Sequence, residues 1–297
     1  MATLEPTLFV NEPRFSAPSA PGRRAAARLG LARLVSLPPT VLLSFVVLLV
    51  VVAWSIAPGL FTSHDYVAGD TSEKLQAPSL AHWLGTDNLG RDLFARIVYG
   101  TQSSVASALV AVSIAVIVGG LIGLVAGFFG GWVDATLARL VDVLLAIPGF
   151  LLSVVVVSAL GFETINAAIA TGISAVAVFA RVMRAEALKV RQSVFVEAST
   201  LQGGSRWNVL IGHVLPNASR SVLALAVLQF GVSILVIAGL AFLGYGDPPP
   251  ASDWGLLVSA GKDYLVSSPW LVYAPAAVIV SVVLSVNRIS RWLRKTG

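Results

Sequence analysis

Three histidines (His64, His82 and His213), fifteen carboxylates and no cysteine are the groups of this 297-residue sequence that could hold a metal or move a proton. Without thiols there is no disulfide, no thiolate metal site and no cysteine nucleophile. The histidines are far apart in sequence, none belongs to an H-E-x-x-H, and the topology below puts His213 on the opposite side of a membrane from His64 and His82. No zinc site is expected. A phosphate-cradling G-x-x-x-x-G-K-[ST] loop is also missing. Its nearest imitation, Gly255 to Asp263, has five intervening residues and an aspartate where the hydroxyl belongs. Asp142 could serve a proton relay, but Arg139 lies three residues earlier on the same helix face, and a local ion pair is the simpler expectation.

The elements that carry these residues are read from where charge is absent. Hydrophobic residues make up 56% of the chain, charged ones 12%, and the mean hydropathy is +0.85, a composition for lipid contact rather than for a water-covered domain. A charge at mid-bilayer costs roughly 2.5 to 3.5 kcal/mol, so long charge-free runs mark spans. Six runs do so: Leu34 to Ser63, Ile97 to Val133, Val143 to Phe162, Thr164 to Ala180, Ser221 to Gly246 and Tyr264 to Asn287. They predict an all-α membrane protein with six transmembrane helices near 38–57, 103–128, 136–160, 164–183, 218–243 and 269–289. The first is read as an uncleaved anchor, because roughly 40 residues precede it, too many for a signal peptide.

Orientation follows from the basic residues. With the N-terminus inside, sixteen of the twenty lysines and arginines fall in cytoplasmic segments, and the outer segments hold nine of the fifteen acids. Both termini are expected in the cytoplasm. Residues 1–37, with six of the first forty positions proline if Pro38 and Pro39 are counted, form a predicted flexible tail, and 290–297 a short cytoplasmic one. Residues 58–102 make an external loop. In the second span small residues recur every fourth position, among them Gly119, Gly123 and Gly127, a stripe that lets helix backbones approach. Pro148 is expected to kink the third span and Gly149 to thin it.

The longest cytoplasmic loop, 184–217, is rich in helix formers at first, reverses at Gly203-Gly204, and restarts where Ser205 can cap a helix from Arg206 to Pro216. Within it, Glu197-Ala198-Ser199, then Gly203, then His213-Val214-Leu215-Pro216-Asn217 resemble the EAA loop of bacterial ABC-importer permeases, with Ser199 for the usual second alanine. His82-Trp83-Leu84-Gly85-Thr86-Asp87-Asn88-Leu89-Gly90-Arg91-Asp92 is similar to the segment before the core helices in second permease subunits of the dipeptide, oligopeptide and nickel group. Leu240 to Gly246, Asp253-Trp254-Gly255 and Gly261 to Tyr264 are similar to that group's last external loop. The tail after Asn287 departs from it, with Arg288 and Arg291 where an aspartate-containing stretch is usual.

The resemblance implies a type I ABC-importer (MetI-like) transmembrane domain, with a five-helix core over 103–289. It implies a homologous second permease subunit, two ATPase subunits that carry the ATP and magnesium, and an extracytoplasmic substrate-binding protein. This chain would bind no cofactor, no metal and no nucleic acid. Glu197, Ala198, Ser199, Gly203, Gly204, His213, Leu215 and Pro216 would couple it to the ATPases. An ion-coupled carrier would place ionisable groups at mid-membrane or show an inverted repeat, and an intramembrane serine protease would place a histidine in a span. The six runs contain none of these. Peptides lead as substrate, followed by nickel chelates, glutathione and haem.

Overall fold

The computed structural model describes residues 38–194, Val196, Ser199 and residues 205–296, and among these every regular element is helical. The tail predicted over 1–37 lies outside them. In chain order the helices are α1 Pro39–Ile56, α2 Leu93–Phe129, α3 Gly131–Ala146, α4 Gly149–Leu160, α5 Thr164–Arg191, α6 Arg206–Phe242, α7 Trp254–Gly261 and α8 Trp270–Thr296. Five are long and apolar enough to cross a bilayer, and α3 with α4 make a sixth, broken span.

α2 starts ten residues earlier than the predicted helix of 103–128 and four before the charge-free run. Asp92 caps it by accepting from the Ala95 amide at 2.7 Å, and Arg96 in its first turn is buried. That arginine is tolerated because Asp87 (2.7 Å) and the Ala251 carbonyl (3.1 Å) accept its guanidinium hydrogens. With 37 residues α2 is about 55 Å long, well beyond the hydrocarbon layer. A π-helical turn at Ala115–Gly119 interrupts it.

The third span is a corner rather than a kinked rod. Ile147 is extended (φ −92°, ψ 127°), as the residue before proline prefers, and Pro148 opens a new helix at 91° to the old one. Gly149 thins nothing there, since a Cβ on it would meet no atom within 4 Å.

α5 is the central helix and packs against α2, α3, α4 and α6. More than half (56%) of its most apolar window is buried, against 17% for α1, which lies at the periphery. Two apolar clusters hold the two ends of the bundle. One joins Val51, Leu93, Ile97, Trp254, Leu257, Leu271 and Val282; the other joins Leu124, Phe128, Met183, Val196, Val209, Leu210 and Val214.

Candidate functional site

At the end of the bundle that carries the 58–92 loop, the Gly85 to Asp92 segment folds into a tight hydrogen-bonded knot. Asp87 N–H donates to the Arg91 carbonyl and Leu93 N–H to the Gly85 carbonyl, both at 3.0 Å, while Thr86 and Asp92 form an antiparallel bridge. Gly90 has φ +77°, and a Cβ there would run into the Asp70 backbone, so the close turn requires glycine. The knot's purpose is to place Asp87, whose Oδ2 receives Arg91 Nε and Arg96 Nη1 at 2.7 Å each in a buried cluster. Burial raises the Asp87 carboxyl, but the amides of Arg91 and Leu89 and the Arg96 guanidinium outweigh it and hold it below its ordinary 3.8.

The last loop of the same side is bolted to this cluster. Ser252 Oγ donates to the Arg96 carbonyl (2.8 Å), Trp254 Nε1 to the Ile97 carbonyl (3.2 Å), and Ser104 Oγ accepts from Trp254 N–H (3.1 Å). Asp253 Oδ1 accepts from the amides of Gly255 (2.9 Å) and Leu256 (3.0 Å) and so begins α7. Burial pushes the Asp253 carboxyl above the usual range against those two amides, and its Oδ2 has no hydrogen-bond partner. Asp247 Oδ1 accepts from the Thr164 amide at 2.8 Å, which fixes the start of α5. Asp87, Arg91 and Asp253 stand in the sequence as parts of two motifs, but nothing in either motif pairs them into an ionic cluster. The available signal was Arg96 directly before a charge-free run, with Asp87 nine residues upstream.

At the opposite end, Gly119, Gly123 and Gly127 lie along the contact of α2 with α5. A Cβ on Gly119 would come 2.5 Å from the Val176 carbonyl, one on Gly127 2.7 Å from that of Arg184, and one on Gly123 would collide with the Ala180 carbonyl. α3 is tied to α5 by Arg184, which grips Asp134 through Nε (2.5 Å) and Nη2 (2.8 Å), and by Arg181, 2.7 Å from Asp142. The partner of Asp142 is therefore Arg181 on α5, not Arg139. A helical neighbour shares only a face, whereas the packed helix brings its guanidinium to the carboxylate itself.

α5 leads into the elbow. Glu197, Ala198, Gly203 and Gly204 lie outside the described residues, whereas Ser199 is helical and half-buried. Ser205 Oγ accepts from the Asn208 amide (3.2 Å) and caps α6. The helix then runs through Pro216 without ending there. A π-helical turn at Leu210–Val214 directly precedes Leu215 and Pro216, and such widening is how a helix absorbs a residue that lacks an amide and crowds the preceding turn. Val214 is fully buried among Val209, Leu210 and Ala218, while Leu215, Pro216 and His213 fall around the same turns, with Asn217 Nδ2 donating to the His213 carbonyl (2.7 Å). On the outer surface of the elbow Val194, Trp207 and Ile211 are exposed, at 80%, 64% and 61%.

His64 and His82, both in the 58–92 loop, are brought ring to ring at 5.2 Å, and His213 is in the elbow. Among the described residues no group of three His, Asp or Glu side chains could hold a metal ion.

Residues 119–296 match the family described as binding-protein-dependent transport system inner membrane component. The chain is 37% identical to the dipeptide transport system permease protein DppC of Alkalihalophilus pseudofirmus, over 99% of its own length and 94% of the relative's. It belongs to this family. Other members that it resembles are the probable D,D-dipeptide transport system permease DdpC of Escherichia coli K12 (37%, covering 84% of each chain) and the glutathione transport system permease GsiD of Pectobacterium atrosepticum (35%, covering 84% and 83%). The fold is shared with a chain of the MetNI methionine ABC transporter in inward-facing conformations, at TM-score 0.53 and 16% identity over 65% of this chain and 94% of that one. The inner membrane component is thus a multi-pass, all-helical permease of the MetI-like type.

Proposed function

We propose that this permease subunit serves an ABC importer of dipeptides and oligopeptides, forming half of the translocation path beside a homologous permease. The observation that carries the substrate class is the 37% identity with a dipeptide permease along 99% of the chain. Glutathione, itself a tripeptide, is the transported compound named for other relatives and falls in the same chemical class. Selection among peptides would rest with an extracytoplasmic binding protein, and ATP and magnesium with two ATPase subunits.

In this reading both termini are cytoplasmic and the elbow between α5 and α6 is the coupling helix. Exposed Val194, Trp207 and Ile211 offer an apolar surface to an ATPase groove, and the buried Val209, Leu210 and Val214 root that surface in the bundle. Glu197, Ala198 and Ser199 would form the first arm, Gly203 and Gly204 the reversal, and His213, Leu215 and Pro216 the second arm. Closure of the nucleotide sites would push the elbow and move α5 and α2 as one rigid pair through the contact at Gly119, Gly123 and Gly127. The test is Gly203→Val in the assembled transporter. Assembly is expected to persist while peptide uptake and substrate-stimulated ATPase activity are lost. Survival of both activities would refute the coupling role.

A further inference from the structure

The apolar surface of the elbow continues onto a second segment that lies outside the elbow motif. Phe129, the last residue of α2, sets its ring edge-on against Trp207 of α6 (6.2 Å between centroids) and against Phe128 (5.3 Å). Gly130 and Gly131 then turn the chain at φ +67° and +59°, a conformation that glycine adopts without strain. Trp132, in the first turn of α3, is 78% exposed. With only the two glycines between them, the backbones of Phe129 and Trp132 lie within about 11 Å of each other. The exposed charges flanking this turn are basic: Lys189 and Arg191 at the end of α5, and Arg206 beside Trp207. A Cβ on Gly130 would come 2.9 Å from Arg191 Nη1.

The depth of the turn removes the ordinary reason for an open tryptophan in a membrane protein, a place among lipid headgroups. Gln102 Nε2 donates to the Ser55 carbonyl (3.0 Å) in the last turn of α1, which marks the level where that 18-residue span leaves the hydrocarbon. From Gln102 to Phe129 α2 rises about 40 Å, and about 38 Å at a common tilt of about 20°, against a hydrocarbon layer of about 30 Å. An ion pair marks the far boundary independently. Arg181 and Asp142, 2.7 Å apart and each more than half exposed, belong to the stretch of α5 beside Gly123, where a Cβ would meet the Ala180 carbonyl and the Arg184 amide. Charges so open to their surroundings do not sit in hydrocarbon. Phe129 lies about 9 Å of helix past Gly123, whereas a headgroup layer is only about 5 to 7 Å thick. The aromatic turn therefore clears the lipid, and its exposed rings need a protein to cover them.

We infer that the α2–α3 turn is a second docking point for the ATPase subunit, with Trp132 and Phe129 entering an apolar slot rimmed by carboxylates, next to the groove that takes the elbow. The inference rests on the reading of the elbow as an ATPase contact, and the ring contact between Phe129 and Trp207 makes the two surfaces continuous. It gives the ATPase a direct hold on α2 and α3, which the elbow reaches only through α5.

Because the chain has no cysteine, one introduced at a single position reports on that position alone. In inverted membrane vesicles that hold the whole transporter, Trp132→Cys and Trp207→Cys should react with a water-soluble maleimide at least about fivefold more slowly than after urea has stripped the ATPase subunits. Protection at Trp207→Cys without protection at Trp132→Cys would confine the contact to the elbow and overturn this inference alone. Protection at neither position would sink the elbow reading with it. A Trp132→Cys that stays unreactive after stripping would place the turn in lipid and overturn the inference as well. In the purified transporter, Trp132→Ala should lower retention of the ATPase subunit about five- to tenfold, and Trp132→Phe should restore most of it. Unchanged retention in Trp132→Ala would equally refute the docking.

Discussion

The two ends of the bundle are built on opposite principles. Around Asp87, Arg96 and Asp253 the chain is held by charge and directional hydrogen bonds, and two separate loop segments close on one buried guanidinium. At the elbow the inner face is apolar, centred on Val214, and the outer face leaves Trp207 and Ile211 in the open. An internally braced end suits a fixed frame. An end with apolar surface to spare suits contact with a subunit that comes from elsewhere.

The comparison can be broken most sharply at Asp87. Asp87→Ala leaves Arg91 and Arg96 buried without their shared acceptor, and about 4 kcal/mol of stability should be lost, read as the thermal unfolding shift of the purified complex. Gly123→Leu should follow at about 3 kcal/mol, because the side chain must force α2 away from the α5 backbone. Val214→Ala should cost about 2 kcal/mol by opening a void beneath the elbow. Acid should discriminate the two carboxylates of the ionic end. Asp87 is held below 3.8 in the folded chain, so its contribution is complete above that value and is lost as pH falls below it. Asp253 is raised, so it favours folding where it is protonated and loses that contribution as pH rises through its folded value. Asp87→Asn should therefore flatten the acid-side loss of stability, and Asp253→Asn should steepen the net loss that remains. Smallest in stability is Trp207→Ala, expected within about 0.5 kcal/mol of wild type, yet accompanied by a drop in stimulated ATPase activity that a purely solvated tryptophan would not cause.

Much of this was legible in the sequence because hydropathy and motif spacing report on lipid and on family. The charge-free runs place the spans, and the segments at Gly85 to Asp92 and Asp253 to Gly255 point to the right family. What escaped were features decided by partners distant in sequence. Arg96 reads as a boundary until Asp87 is seen to neutralise it and the Ala251 carbonyl to accept from it, so a linear reading starts α2 ten residues too late. A linear reading pairs Asp142 with Arg139 because it favours the same helix over the packed neighbour that carries Arg181. Pro216 reads as a stop until the preceding π-helical turn is seen to accommodate it.

The right-angled break at Ile147 and Pro148 bears on how the protein is made. Neither arm, about 24 Å and 18 Å long, crosses the bilayer alone, and each helix end leaves peptide groups without helical partners. Freshly inserted and unaccompanied, the polypeptide would expose those groups to fatty acyl chains, an environment that offers them nothing in return. Under the proposed pairing with a second permease, expression without that partner should then yield rapid degradation rather than a stockpile of idle protein.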